Sequence, residues 1–151
     1  MSEVWFYHLT DSRLEQALPT LVERCLSRQW NVVVQCGTVE RRDALDTHLW
    51  TFRDESFIPH ASASSLTGEA ANQPVWLTVE NDNPNGAHVR FLVDGAVAGD
   101  LDGYERGIYM FDGHDAEAVA SARERWKAEK AAGHDISYWQ QGGDGRWRKK
   151  A

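Results

Sequence analysis

Four residues near the end of the sequence have types and spacings that suit a binding site. Arg123, Trp126, Lys127 and Lys130 stand at positions i, i+3, i+4 and i+7, so a helix would place them on one face. Arg123 and Lys127 can bind a carboxylate by charge-assisted hydrogen bonds while the indole of Trp126 packs against an apolar side chain. Such a site would suit an acidic peptide with an aromatic end. A solvated charged face with Trp126 packed inward is the other interpretation of the same spacing.

The motifs of common nucleotide-binding and hydrolytic sites are missing from the sequence. No phosphate-binding loop of the form G-x-x-x-x-G-K-[ST] occurs, and Gly37 is a single glycine after a β-branched run. No Gly-x-Ser-x-Gly nucleophile motif occurs either. His60 could act as a general base near Asp54 or Glu55, but a turn residue at the end of a strand is the favoured interpretation. We therefore expect no catalytic residues and no cofactor.

Cysteine usage and apolar runs limit the class of protein further. Cys25 and Cys36 are the only cysteines, and we expect both to be reduced, buried thiols. A structural zinc site needs about four Cys or His ligands in short paired spacings, which the six histidines do not supply. No run approaches the roughly 20 apolar residues of a membrane helix, and the first residues lack a cationic signal. A cytoplasmic protein without bound metal or membrane contact is expected.

The charges are distributed unevenly along the chain. Residues 1–120 contain 8 Arg, no Lys and 19 acidic residues, whereas residues 121–151 contain 8 Lys and Arg with 4 acidic residues. An acidic body disfavours general binding along nucleic acid, while a local basic patch can still attract an acidic partner. The charge pattern therefore favours a protein partner for the basic part of the chain.

Alternating strand and helix patterns predict a single α/β domain over residues 1–139, with an open, mostly parallel sheet and flanking helices. Val32–Cys36 is a near-continuous β-branched run, the pattern of a strand that is buried on both faces. Helices are predicted after Ser12, over Glu40–Trp50 and from Asp115 to Ala132, the last closed by Gly133. The other predicted strands are Trp5–Leu9, Val75–Val79, Val89–Val93, Ile108–Phe111 and Ile136–Trp139.

Two local predictions concern the first two helices. The first follows the capping cluster Thr10-Asp11-Ser12, and Pro19 is expected to interrupt it so that a new helix starts at Thr20. In the second, the residues expected to face inward are Ala44, Leu45, Leu49 and Trp50.

Residues 140–151 read as a Gly-rich linker followed by a basic tail from Arg146 to Lys150. Cationic and aromatic residues together can bind single-stranded DNA, so a tail that contains Trp147 is one candidate for direct DNA contact. The acidic body argues against this interpretation.

Five segments, in order along nearly the whole chain, resemble the chi subunit family of bacterial DNA polymerase III. The combination of L-D-x-x-L-W, S-F-[IV]-P-H and A-R-E-R-[WY]-K in one chain of this length is specific. The matching segments are Phe6-Tyr7-His8-Leu9, Leu45-Asp46-Thr47-His48-Leu49-Trp50, Glu55-Ser56-Phe57-Ile58-Pro59-His60, Ala122-Arg123-Glu124-Arg125-Trp126-Lys127 and Gly133-His134-Asp135.

This resemblance implies a non-catalytic α/β protein, like a nucleotide-binding fold without a nucleotide site, in the clamp-loader assembly. It implies two partners, a psi subunit and the acidic C-terminal tail of single-stranded-DNA-binding protein, which ends in Pro-Phe; any DNA contact would be mainly indirect. The tail site would fall on Arg123, Trp126 and Lys127 with Trp50 nearby, and the psi contact on Phe57. An α/β nucleotide-binding protein or enzyme is the alternative class. At Asp112-Gly113 the sequence is polar where some relatives are apolar.

Overall fold

The computed structural model describes three helices and eight strands, and together they form a single open sheet with helices on both faces. The helices are α1 (Leu14–Ser27), α2 (Val39–Thr51) and α3 (Ala116–Ala131). The strands are β1 (Glu3–Leu9), β2 (Val32–Gln35), β3 (His60–Ser62), β4 (Val75–Thr78), β5 (Val89–Leu92), β6 (Arg106–Asp112), β7 (Asp135–Gln141) and β8 (Trp147–Lys149). The described residues are 3–10, 13–51, 60–62, 74–97, 99, 101, 103–141 and 147–150.

The strand order is β3-β4-β2-β5-β6-β1-β7-β8. Neighbouring strands in the described sheet run parallel, except that β8 returns antiparallel to β7. The prediction of an α/β fold with an open, mostly parallel sheet is confirmed. Strands β1 and β6 are neighbours in the sheet. After β1 the chain crosses to β2 in one direction along the strand order, and after β6 it crosses to β7 in the opposite direction.

Two hydrophobic cores follow from the alternation of side chains along the strands. One core, which includes Tyr7 and Val34, is covered by α1 and α2. The other includes Phe6 and Val33, their neighbours in the chain, and is covered by α3. Helices α1 and α2 therefore lie on one face of the sheet and α3 lies on the opposite face.

Pro19 lies inside α1, so the predicted interruption and new start at Thr20 are wrong. A proline in a helix cannot donate to the carbonyl four residues earlier, which here is that of Glu15. The ring of His48 on α2 takes the place of that donor, because its Nε2 lies 2.5 Å from the Glu15 carbonyl oxygen. The helix continues because a residue 33 positions away satisfies the acceptor.

The start of α1 and the inner face of α2 also differ from expectation. The N-cap of α1 is Arg13, and its backbone N–H donates to Oε1 of Gln16 at 3.1 Å. On α2, Leu45 is buried as predicted, but Ala44 is exposed. The side chains of Leu49 and Trp50 lie outside the described part of the structure.

Two short edge strands were not predicted. His60 begins β3, beside Val75 of β4, and does not end a strand as expected. Trp147–Lys149 form β8 against β7, although the composition of residues 140–145 had suggested only a linker to a basic tail. Gln140 and Gln141, the first residues of that predicted linker, lie in β7. The predicted boundary between a domain ending at residue 139 and a separate tail stays a prediction.

The C-terminal end of α1 provides a test of local backbone strain. Gln29 has a φ of 62°, and the N–H of Trp30 donates to the Cys25 carbonyl at 3.1 Å, as at helix ends that usually carry glycine. We expect Gln29→Gly to raise the free energy of unfolding by about 0.5–1 kcal/mol, since glycine removes the steric cost of this conformation. Urea unfolding of the variant measures the gain, and Gln29→Ala is the control that should show none.

Candidate functional site

The four site residues predicted from their spacing lie together on one face of α3, beside Tyr138 of β7. Arg123, Lys127 and Lys130 are exposed, and Trp126 is partly buried. We call this set, with Tyr138, the α3–β7 surface. The helical prediction and the shared face are confirmed.

Side-chain contacts cap α3 at its start and attach it to the sheet near its end. The carboxylate of Asp115 caps the helix by accepting hydrogen bonds from two backbone N–H groups. Near the other end the buried Glu129 accepts a hydrogen bond from the Tyr109 hydroxyl at 3.3 Å and lies 3.5 Å from Nε2 of His134. The helix is thereby attached to β6 and to the segment that enters β7, and its exposed cations keep a defined position relative to the sheet.

Aromatic rings form the base of the α3–β7 surface. The indole of Trp126 packs on Phe6 with ring centres 5.4 Å apart and meets Tyr138 edge-on at 6.0 Å. The hydroxyl of Tyr138 is hydrogen-bonded to Nδ1 of His8. Trp126 therefore combines both interpretations of its spacing, because one part of the ring packs in the core while another part stays accessible.

The α3–β7 surface combines a buried phenol with nearby positive charge. Burial raises the pKa of the Tyr138 phenol above its usual value, and the Arg123 guanidinium opposes part of that rise. Burial lowers the pKa of His8, and the neighbouring His114 lowers it further, so the ring favours its neutral form. Among the described residues no carboxylate forms an ion pair with Arg123, Lys127 or Lys130. Their positive charge is available to an outside anion.

Sequence reasoning missed Tyr138 and His8 as members of this surface. Both lie on strands, and their proximity to α3 follows from the parallel pairing of β1 with β7, in which Phe6 is level with Tyr138. Phe6 and His8 are two residues apart on β1, so they lie on the same face of the sheet as Tyr138, the face that carries α3. The aromatic content of the two strands was visible, but the crossover that makes them neighbours was not.

The two remaining predicted site residues lie elsewhere or outside the description. Trp50 belongs to α2, which packs against β3, β4 and α1, on the other face of the sheet from α3. The structure does not bring that helix to the α3–β7 surface, and the role of Trp50 stays a prediction. Phe57 lies outside the described residues.

A second concave region, a cleft of about 980 Å³, lies at the carboxyl edge of the sheet where the connections of β1 and β6 diverge. Open α/β sheets usually bind ligands at such a position. Here six carboxylates line the cleft with three arginines, and Arg41 already pairs with Glu15 at 2.6 Å and Asp94 at 3.0 Å. The side chain of Asp115 also occupies the N-terminus of α3. This arrangement repels a phosphate group, which weakens the nucleotide-binding alternative.

Gly37, the glycine after β2, allows the backbone near Asp94 to pack closely against it at this edge. A Cβ at this position would lie 2.2 Å from the backbone oxygen of Asp94. The space that a phosphate would need beside a glycine is therefore filled by the protein's own backbone.

Neither cysteine suggests chemistry. Cys25 and Cys36 are free and buried, as predicted, and burial raises the pKa of the Cys36 thiol to about 12. Within the described ranges no group of three or more His, Cys, Asp or Glu residues is arranged to hold a metal ion. None of the helices there is both long and apolar enough to span a bilayer.

Together, the fold and the α3–β7 surface define an α/β protein whose candidate functional site is a basic and aromatic binding surface rather than a catalytic pocket. Residues 1–137 match the family described as DNA polymerase III chi subunit, HolC. The chain belongs to this family, and the resemblance predicted from its sequence motifs is confirmed.

Two relatives support the assignment. The chain is 30% identical over 93 residues to the probable DNA polymerase III subunit chi of Rickettsia prowazekii, a span of 62% of this chain and 55% of the relative. It is 35% identical over 98 residues to the DNA polymerase III subunit chi of Pseudomonas aeruginosa, a span of 62% of this chain and 64% of the relative. Each match therefore spans less than two thirds of the relative's length.

Proposed function

We propose that the protein is a non-catalytic accessory subunit of the DNA polymerase III holoenzyme, associated with the clamp loader in the cytoplasm. In this role it binds the acidic C-terminal tail of single-stranded-DNA-binding protein on the α3–β7 surface. Membership of the chi subunit family supports the place in the polymerase. The observation that carries the binding role is the group of exposed cations, unpaired among the described residues, around the indole of Trp126.

The surface offers a separate contact for each part of such a tail. A guanidinium binds a terminal carboxylate through two parallel hydrogen bonds, which suits Arg123. The aromatic side chain of a Pro-Phe end can pack against the accessible part of Trp126 and the ring of Tyr138, whose centres are 6.0 Å apart. Lys127 and Lys130, one and two turns further along α3, lie where the acidic residues before that end would pass.

Binding of a synthetic acidic tail peptide should weaken as salt is added, because exposed charges are screened. We expect the association constant to fall by about tenfold between about 50 and 200 mM salt, if two to three exposed charges contribute. Calorimetric titration at the two salt concentrations measures the change.

The double variant Lys127→Gln/Lys130→Gln should bind more weakly and lose most of this salt dependence. Arg24→Gln/Arg28→Gln removes the same charge from exposed positions on α1 and at its C-terminal cap, on the other face of the sheet, and serves as the matched control. Equal weakening in both double variants, or an association constant that does not change with salt, would show that the basic face of α3 does not bind the tail peptide.

Phe57 is proposed as the contact for a psi subunit. If it lies in an exposed apolar patch, Phe57→Ala should leave the melting temperature nearly unchanged and abolish co-purification with psi. Differential scanning calorimetry and a pull-down on the same preparation test the two parts. A fall of several degrees would instead identify Phe57 as a core residue, through the cavity that its removal leaves.

A further inference from the structure

A second groove, of about 600 Å³, lies on the face of the sheet that carries α1. It runs between α1 and the strands β1, β7 and β8, and we call it the tryptophan groove. Four of the seven tryptophans of the chain line it, each partly buried: Trp5, Trp30, Trp139 and Trp147.

The rings and arginines of the groove are stacked against one another. The guanidinium of Arg106 lies 3.7 Å from the ring centre of Trp5, which in turn lies 5.2 Å from that of Trp139. Trp147 packs on Tyr7 at 4.5 Å, which attaches β8 to this floor. The rings are held in place before any ligand binds.

Three arginines line the tryptophan groove. Arg24 on α1 and Arg28, the residue that follows its last turn, are exposed one turn apart, and Arg106 comes from β6. The exposed Lys149 is level with Trp139 in the antiparallel pair of β7 and β8, so its side chain lies on the same side of the sheet as the groove. No acidic residue is among the described residues that line the groove, whereas six line the carboxyl-edge cleft. The negative net charge of the chain is therefore concentrated away from this groove.

We propose that the tryptophan groove binds single-stranded nucleic acid. Proteins that bind single strands combine a cationic groove, which follows the phosphates, with aromatic side chains on which the bases stack. An acidic peptide could use the same cations, but it has no series of flat faces to place on several indoles. The three arginines that line the groove also match a nucleic-acid strand, which carries a phosphate charge on every nucleotide.

The position of the groove makes it independent of the α3–β7 surface. Within β7, Tyr138 faces α3 and Trp139 faces the tryptophan groove, because successive side chains of a strand point to opposite faces. One molecule could hold a protein tail on one face of the sheet and a nucleic-acid strand on the other. The inference extends the proposed function and does not depend on it.

Fluorescence anisotropy with a labelled oligothymidylate of about 12 nucleotides tests the proposal on the full chain. We expect binding at about 50 mM salt that weakens on a log–log plot with a slope of about −0.7 for each phosphate contact. Arg24→Gln/Arg28→Gln should make that slope shallower by about 1.4 if both arginines contact phosphates. Trp147→Leu should weaken binding and leave the slope unchanged, because it removes stacking and not charge.

The matched control is Lys127→Gln/Lys130→Gln, which removes the same charge from the opposite face and should leave the slope as it is. No binding at the lower salt concentration, or an equal change of slope in both double variants, would overturn the proposal. So would a polyglutamate peptide that binds the groove more tightly than the oligonucleotide. Titrating the same variants with the acidic tail peptide keeps the two functions apart, since only the lysine variant should lose tail binding.

Discussion

Replacing Arg90 with methionine is expected to lower the free energy of unfolding by about 3–5 kcal/mol, because several buried acceptors would lose a charged donor at a cost of about 1–3 kcal/mol each. Arg90 on β5 is fully buried. Its guanidinium donates to Oε1 of Gln35 at 2.7 and 3.0 Å, to the hydroxyl of Tyr104 at 3.0 Å, and to the backbone oxygens of Glu80 and Asp82 at 2.6 and 2.7 Å. Methionine fills part of the volume but leaves these acceptors without a donor.

Urea unfolding followed by circular dichroism measures the loss. Arg28→Met at an exposed position is the control, and we expect it to cost no more than about 1 kcal/mol. In the double variant with Gln35→Leu the loss should be smaller than the sum of the two single losses, because both changes remove the same hydrogen bonds. A loss below about 1 kcal/mol for Arg90→Met would show that water or neighbouring groups replace the guanidinium.

The parts of the fold that could be predicted are those that local sequence determines. Val32–Gln35 is a strand because β-branched valines fill three of its four positions, and all four residues are buried in the centre of the sheet. The third helix begins after a capping aspartate and ends before Gly133, whose φ of 87° suits glycine. Strand and helix alternation then left little choice but a parallel sheet.

The parts that could not be predicted depend on partners far away in the chain. Pro19 stays within a helix because His48 on α2 satisfies the carbonyl that it leaves free. Arg90 stands in the sequence between Val89 and Phe91, where a charged residue would usually face solvent. It is nevertheless buried, and its hydrogen-bond acceptors come from Gln35, Glu80, Asp82 and Tyr104. Neither arrangement can be recognised from the residues of a single helical turn or a single strand.

The candidate site could likewise be predicted only in part. The spacing of Arg123, Trp126 and Lys127 was sufficient to place them on one helix face, because helical periodicity is local. The neighbours that turn this face into a surface, His8 and Tyr138, come from two strands that only the fold brings together. The tryptophan groove is even harder to predict, since its residues come from α1, from five strands and from the segment between α1 and β2.

The largest effect on binding should come from Arg123. We expect Arg123→Ala to weaken binding of the acidic tail peptide by about 2–4 kcal/mol, or about 30- to 700-fold, because the terminal carboxylate would be left partly buried without its partner. Lys127→Ala should cost about 1 kcal/mol, since an ammonium near solvent contributes a screened point charge. Neither side chain packs in a hydrophobic core, so neither change should affect folding appreciably.

Two further titrations separate the geometry of Arg123 from its charge. Arg123→Lys keeps the charge but loses the planar pair of donors, and we expect it to recover only part of the affinity. A peptide whose C-terminus is amidated has no terminal carboxylate, so it should bind wild type weakly and should be nearly insensitive to Arg123→Ala. If the lysine variant binds as well as wild type, or if amidation costs nothing, the carboxylate does not bind at Arg123. The aromatic rings of Trp126 and Tyr138 would then have to account for the affinity, and the orientation of the tail on the α3–β7 surface would be different.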